Sequence, residues 1–172
     1  MTTANTIFFK EIFMSTELVF RFAERKDSSL IFDFIKGIAK YEKMEDEVEN
    51  TPALIEKWLF DEHRAEVIFA LLDGKEIGFA LFFCNYSTFV GRPGIHLEDI
   101  FVLPEYRGKG YGKALFKKVA ETAKERNCGR LEWVCLDWNK PSIDFYLSMG
   151  AQPMSEWTTY RLAGESLEKA AE

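Results

Sequence analysis

A strand-like run ends at Val102-Leu103-Pro104, a helical run follows it, and between and into them three glycines alternate in Arg107-Gly108-Lys109-Gly110-Tyr111-Gly112-Lys113. Glycines at alternate positions free the backbone N–H groups to converge on an anion at the start of a helix. Arg107, Lys109 and Lys113 add positive charge to the same turn, so it reads as a site for phosphate oxygens. A turn that serves only close packing of helix on strand is the plainer alternative, and the basic flanks weigh against it. Two nucleotide-binding signatures are weakened. Ala114 stands where a Walker A loop needs Ser or Thr, and Lys113 stands where a dinucleotide fingerprint needs its third glycine.

The remaining pattern fits an α/β (α+β) fold, a mixed sheet with helices on both faces. Leu18 to Ala23 alternates as a strand, and Ser28 to about Tyr41 has helical spacing behind the cap candidates Asp27, Ser28 and Ser29. Thr51-Pro52 opens a second helix through Leu59. Val67–Leu72 and Ile77–Cys84 flank Asp73-Gly74-Lys75, a hairpin signal. A polar loop, Ser87 to Gly94, leads to a strand from Ile95 to Leu103. A helix from the glycine turn to Asn127, a strand Leu131–Leu136, a short helix from Asn139 through Tyr146 and a last strand Trp157–Leu162 complete the order.

With 172 residues, 47% hydrophobic and 29% charged, the chain suits one domain over residues 18–163, flanked by residues 1–17 and a tail, 164–172. A net charge of −6 without a Lys/Arg tract disfavours nucleic acid as a partner. Cys84, Cys128 and Cys135 form no C-x-x-C pair and have only His63 and His96 to join them, so no metal site is expected. They read as reduced packing residues of a cytoplasmic protein. The first seventeen residues lack a basic start, an unbroken apolar core and a cleavage site, and no stretch has the length of a membrane helix.

Four ordered stretches give the chain a resemblance to a known family. They are Ala39-Lys40-Tyr41-Glu42-Lys43-Met44-Glu45, Leu97-Glu98-Asp99-Ile100-Phe101-Val102, the glycine turn, and Trp138-Asn139-Lys140-Pro141-Ser142-Ile143-Asp144-Phe145-Tyr146. Together they resemble the GCN5-related N-acetyltransferase (GNAT) superfamily, and within it the diamine, or spermidine/spermine, N-acetyltransferase branch. The resemblance implies the GNAT acyl-CoA N-acyltransferase fold, with a central, mostly antiparallel mixed sheet flanked by helices. It also implies acetyl-CoA as co-substrate, a small cationic amine as acceptor, and a homodimer. By the same resemblance Glu98 is the general base and Tyr146 the acid toward the departing thiolate. Ile100, Phe101 and Val102 would hold the pantetheine arm through their backbone. Arg107, Gly108, Lys109, Gly110, Tyr111, Gly112 and Lys113 would hold the pyrophosphate, with Asn139 and Ser142 further cofactor contacts. Tyr41, Glu42, Phe89, Asp99, Glu132, Trp133 and Val134 would meet the amine.

The residues themselves constrain those roles. An alkylammonium of pKa about 10.4 must lose a proton before it attacks a thioester, at a cost near pH 7 of roughly 4 kcal/mol. A carboxylate can relay that proton directly or through water. In a regular strand Glu98 and Asp99 point to opposite faces, so both reach one pocket only if a bulge intervenes. Asn139 also suits a helix cap, and Tyr146 shares helical spacing with Ile143 and Leu147, which suits packing. A phenol is a weaker acid than a thiol, so hydrogen bonding to the thiolate stands beside full proton transfer as a role for Tyr146.

The chain departs from the polyamine-acetylating pattern where Ser87 and Phe89 replace an acidic residue and a Trp, and near Thr158, where a late acidic residue is replaced. Fewer carboxylates weaken the case for a long polycation. A shorter diamine, a lysine analogue such as thialysine, or another small primary amine then competes as substrate, and a CoA-binding module without turnover is the rival from another class.

Overall fold

The computed structural model describes residues 17–172, so the expected extension over residues 1–17 lies, but for its last residue, outside the described residues. The chain forms two compact units, one up to Val134 and one from Cys135 to Glu172.

The first unit is built on a five-stranded sheet in the order β1-β2-β3-β4-β5. Its strands are β1 (Leu18–Phe22), β2 (Glu66–Leu72), β3 (Lys75–Ser87), β4 (Arg92–Val102) and β5 (Leu131–Glu132). The first three pairings are antiparallel and only β4 with β5 is parallel. Asp73 and Gly74 take the positive φ values, 52° and 80°, that close the β2–β3 hairpin as expected. The β3–β4 hairpin is longer than the sequence suggested: pairing reaches Ser87 with Arg92, so half of the supposed loop is strand and only residues 88–91 form the turn.

Helix α1 (Ser28–Glu42) and the short α2 (Pro52–Ile55), which continues as a π-helical turn over Glu56–Asp61, cover one face. There Ile31, Phe34 and Ile55 pack with Val67, Phe69, Leu71, Phe79 and Phe101. Phe34 stacks on Phe79 at 5.2 Å and meets Phe101 edge-on at 6.4 Å. Thr51 caps α2 by accepting from the Leu54 N–H at 3.2 Å. Asp27 does not cap α1 with its side chain; its carboxylate accepts instead from Arg21 at 2.6 and 3.0 Å and from the Glu24 N–H at 2.8 Å. Alternation turns Ile68, Ala80, Phe82, Ile95 and Leu97 to the opposite face, all of them buried. That face carries α3 (Tyr111–Glu125), which buries Leu115, Phe116, Val119 and Ala123.

Two features of the sheet govern the site. The β3–β4 register slips between Leu81 and Phe82: Leu81 pairs with Asp99 but Phe82 pairs with Leu97. Glu98 is therefore the extra residue of a β-bulge. Beyond it β4 has no strand partner on its far side among the described residues, because β5 pairs only through Ile95 with Leu131 and His96 with Glu132. The expected fifth strand to Leu136 is thus two residues long, since a bulge bends its strand and disrupts the local ladder.

The second unit holds α4 (Lys140–Ser148) and α5 (Glu165–Ala170). The expected strand Trp157–Leu162 does not form. A strand needs a ladder partner, and this unit contains no other strand among the described residues. Its large side chains face solvent, Trp157 72% and Tyr160 91% exposed. The packing role expected of the cysteines also needs correction at one position: all three are free, but Cys84 is exposed on a strand near the hairpin end.

Candidate active site

The bulge answers the question that alternation raised. Leu97 points toward α3, Glu98 takes the next position on the α1 face, and the extra residue returns Asp99, opposite Leu81, to that same α1 face. Two consecutive carboxylates consequently share one side of the sheet, with Glu42 at the end of α1 close enough to act on Asp99. Burial, reinforced by the negative charges of Glu98 and then Glu42, pushes the Asp99 carboxyl up to about 7. Burial likewise raises Glu42 above its ordinary value. Glu98 itself is the outermost of the three, its side chain 56% exposed.

Arg107 ties this carboxylate side to the glycine turn. Its Nε–H donates to the Val102 carbonyl at 2.8 Å, and its guanidinium lies 4.8 Å from the ring centroids of both Tyr41 and Phe101. Tyr41 is therefore packed under Arg107, at the junction of the two halves of the site. Gly108 and Gly110 adopt φ of 75° and 86°, where an L side chain would be strained, and nothing lies within 4 Å of where their Cβ atoms would be. Gly110 is the N-cap of α3 and supplies no side-chain acceptor, so the first N–H groups of a 15-residue helix, at Tyr111, Gly112 and Lys113, face the turn uncapped by it. Lys109 donates to the Glu105 carbonyl at 3.2 Å, and Lys113 is exposed. The turn can thus take a pyrophosphate, while the open side of β4 over Ile100, Phe101 and Val102 offers backbone groups to an extended chain entering between β4 and β5.

The other expected substrate contacts are more scattered within this unit. Glu132 accepts from Asn85 Nδ2 at 2.6 Å and pairs with Arg130 at 3.0 Å. Trp133 meets Phe116 of α3 edge-on at 5.1 Å, Val134 is exposed, and Phe89 is 96% exposed at the tip of the β3–β4 hairpin. His96 was assigned no catalytic part by sequence reasoning, yet its Nε2 lies 3.8 Å from Glu98 Oε2. The signal was present: residues two apart in a strand share a face.

In the second unit, Asn139 is buried and caps α4, accepting from the Ser142 N–H at 3.4 Å. Its cap role is the one the helix start suggested, with Pro141 in the first turn. Tyr146 is half-buried, its ring tilted against Phe145 at 5.3 Å.

A split β4–β5 edge, an uncapped glycine-rich helix start beside it and carboxylates on the adjoining strand define an acyl-CoA N-acyltransferase. The model of the Acetyltransferase (GNAT) family matches residues 31–151, and the chain belongs to that family. Thialysine N-epsilon-acetyltransferase of Bos taurus is 36% identical over 166 residues, covering 90% of this chain and 97% of its own. L-ornithine N5-acetyltransferase NATA1 of Arabidopsis thaliana is 47% identical over 91 residues, 53% of this chain and 40% of its own. Among solved structures, an integron cassette protein from the mobile metagenome of V. cholerae superposes with a TM-score of 0.76 at 29% identity, covering 90% of this chain and 98% of that one. The aminoglycoside N-acetyltransferase AAC(6')-Iy in complex with CoA shares the fold, with a TM-score of 0.70 at 18% identity over 88% and 98% of the two chains. The protein is therefore an acetyltransferase of the GNAT family, with acetyl-CoA as co-substrate.

Proposed function

We propose that the protein acetylates the terminal primary amine of a short substrate that carries a second polar or cationic end, of the size of thialysine, ornithine or a short diamine. The observation that carries this reading is the bulge, which turns Glu98 and Asp99 to one face beside Glu42. Three neighbouring carboxylates repel one another when the site is empty, and an ammonium relieves that repulsion. Similarity over nearly the full length of one relative supports the short acceptor: the bovine protein is named for thialysine, and 97% of it is covered. Ser87 and Phe89 at the hairpin end supply none of the acidic charge that a long polyamine would use.

In this reading Glu98 accepts the ammonium proton, directly or through a water, and the neutral amine attacks the thioester carbonyl. The C–S bond then breaks, an amide forms, and CoA leaves as thiolate. Arg107, the uncapped amides of Tyr111 to Lys113 and the β4 backbone hold the cofactor, while Tyr146 hydrogen-bonds or protonates the leaving sulfur. A second reading makes Asp99 the base, and one observation favours it: a carboxyl at about 7 is matched to proton transfer near neutral pH. Glu98→Gln and Asp99→Asn separate the two, because only loss of the base removes kcat while acetyl-CoA still binds.

The three free thiols support a reducing, cytoplasmic setting. The exposed Trp157, Tyr160 and Leu162 support a homodimer, since three large apolar side chains this exposed within six residues of chain favour cover by a partner. The test of the activity is acetyl-CoA-dependent thiol release with thialysine, ornithine, lysine, putrescine, spermidine, spermine and peptides. We expect the short amines to exceed spermine; CoA binding without release from any acceptor would refute an enzyme.

A further inference from the structure

His96 stands on the same face of the sheet as the bulge carboxylates, two residues before Glu98. It is held from three sides. Its ring stacks on Phe83 of β3, with centroids 5.0 Å apart and planes 24° apart. It lies in register with Glu132 of β5. Its Nε2 is 3.8 Å from Glu98 Oε2, and the imidazole is 22% exposed where the Glu98 side chain is 56% exposed. The charged groups around it are few and already sorted. Glu132 is engaged by Arg130 and by Asn85 of β3, so its charge is compensated. Asp99, with Glu42 of α1 acting on it, lies on the far side of Glu98. Glu98 is thus the carboxylate left for the imidazole to act on.

We propose that His96 is a positioning residue for Glu98: neutral, its fixed ring can draw in one oxygen of the mobile, exposed Glu98 carboxylate, 3.8 Å away at rest, so that the other faces the amine, and protonated, it pairs with Glu98 and competes with the cationic substrate. The two forms have opposite effects because the substrate and the imidazolium seek the same carboxylate. Histidine is the side chain whose charge ordinarily changes across the physiological range, so a pH profile is the readout that separates the two forms. The rigid stack on Phe83 matters, since a fixed ring can orient a carboxylate that is itself more than half exposed. The inference rests on the acetyl-transfer reading with Glu98 as base.

The test uses His96→Phe, which keeps the stack and removes both nitrogens, and His96→Gln, which restores an uncharged N–H. Both are compared with the parent by kcat and KM for the amine from pH 5.5 to 9, with acetyl-CoA saturating and CoA binding as the control for folding. We expect His96→Phe to lose roughly three- to tenfold in kcat/KM at pH 8, and His96→Gln to regain most of it. Below neutrality both variants should lose the rise in amine KM that the parent shows, so their acid limbs fall less steeply by one proton. Profiles parallel to the parent at every pH, whatever their height, would overturn the inference. Glu98→Gln distinguishes the two levels: an unimpaired Glu98→Gln refutes the base itself, whereas an impaired Glu98→Gln beside parallel His96 profiles refutes only the role of His96.

Discussion

Asp99 offers the sharpest test of the electrostatics, because the folded protein should be penalised for ionising it. Burial is the main cause of its raised pKa, and the charges of Glu98 and Glu42 add to it. From an ordinary value of 3.8 to about 7 is a gap of about three pH units, worth at most roughly 4 kcal/mol at 1.36 kcal/mol per unit. The direction follows from proton counting. Between those two values the folded state holds a proton that the unfolded state has lost, so stability falls as pH rises from about 4 to about 7 and levels off above. Asn at position 99 cannot ionise and escapes that loss. Water reaching the opened carboxylate reduces the ceiling, so Asp99→Asn should gain about 2 kcal/mol over the parent between pH 4 and pH 8. For a chain of this size that is roughly 4–8 °C in Tm. Urea unfolding of both proteins at half-unit pH steps, without amine or CoA, reads the difference directly. A constant offset between them across the whole range would refute the claim that Asp99 is held neutral by its surroundings. An offset that grows with falling pH would reverse its sign.

Gly78 faces Val102 across β3 and β4, and a Cβ there would sit 2.7 Å from the Phe101 carbonyl oxygen and 3.1 Å from Val102 Cγ2. Backbone cannot yield as a flexible side chain does, so Gly78→Ala should cost about 1–3 kcal/mol by chemical denaturation and raise KM for acetyl-CoA by displacing the cofactor edge; a variant of unchanged stability would show that β4 is loosely held. Arg107→Ala removes the guanidinium from the Tyr41 and Phe101 rings and the bond to Val102 O, and should weaken CoA binding by roughly tenfold, about 1.4 kcal/mol, read by calorimetry. Arg107→Lys should recover little of it, because an ammonium lacks the planar face that stacks on two rings. Equal CoA affinity in all three would remove Arg107 from the cofactor site.

What the sequence disclosed and what it withheld divide along one physical line. Local signals were legible: the Asp-Gly turn, the Thr51 and Asn139 caps, the two amphipathic helices and the alternating glycines each depend on residues within one or two turns of chain. Register was not. Period-two reading sets Glu98 and Asp99 on opposite faces, and only the slip between Leu81 and Phe82, fixed by packing Leu97 toward one face and Asp99 toward the other, reunites them. The same slip shortens β5, and a run as strand-like as Trp157–Leu162 stays extended and exposed without a strand to pair with in its own unit. Strand propensity states what a segment could do given a partner, and the partner is a tertiary fact. His96 belongs to the same category: its place beside Glu98 follows from simple alternation, but its fixed ring depends on Phe83, thirteen residues earlier on the neighbouring strand. The face proposed to be catalytic is therefore assembled by a single irregularity in the sheet. A substitution that restores regular pairing at Glu98 would separate the two carboxylates even if every side chain of the site were retained.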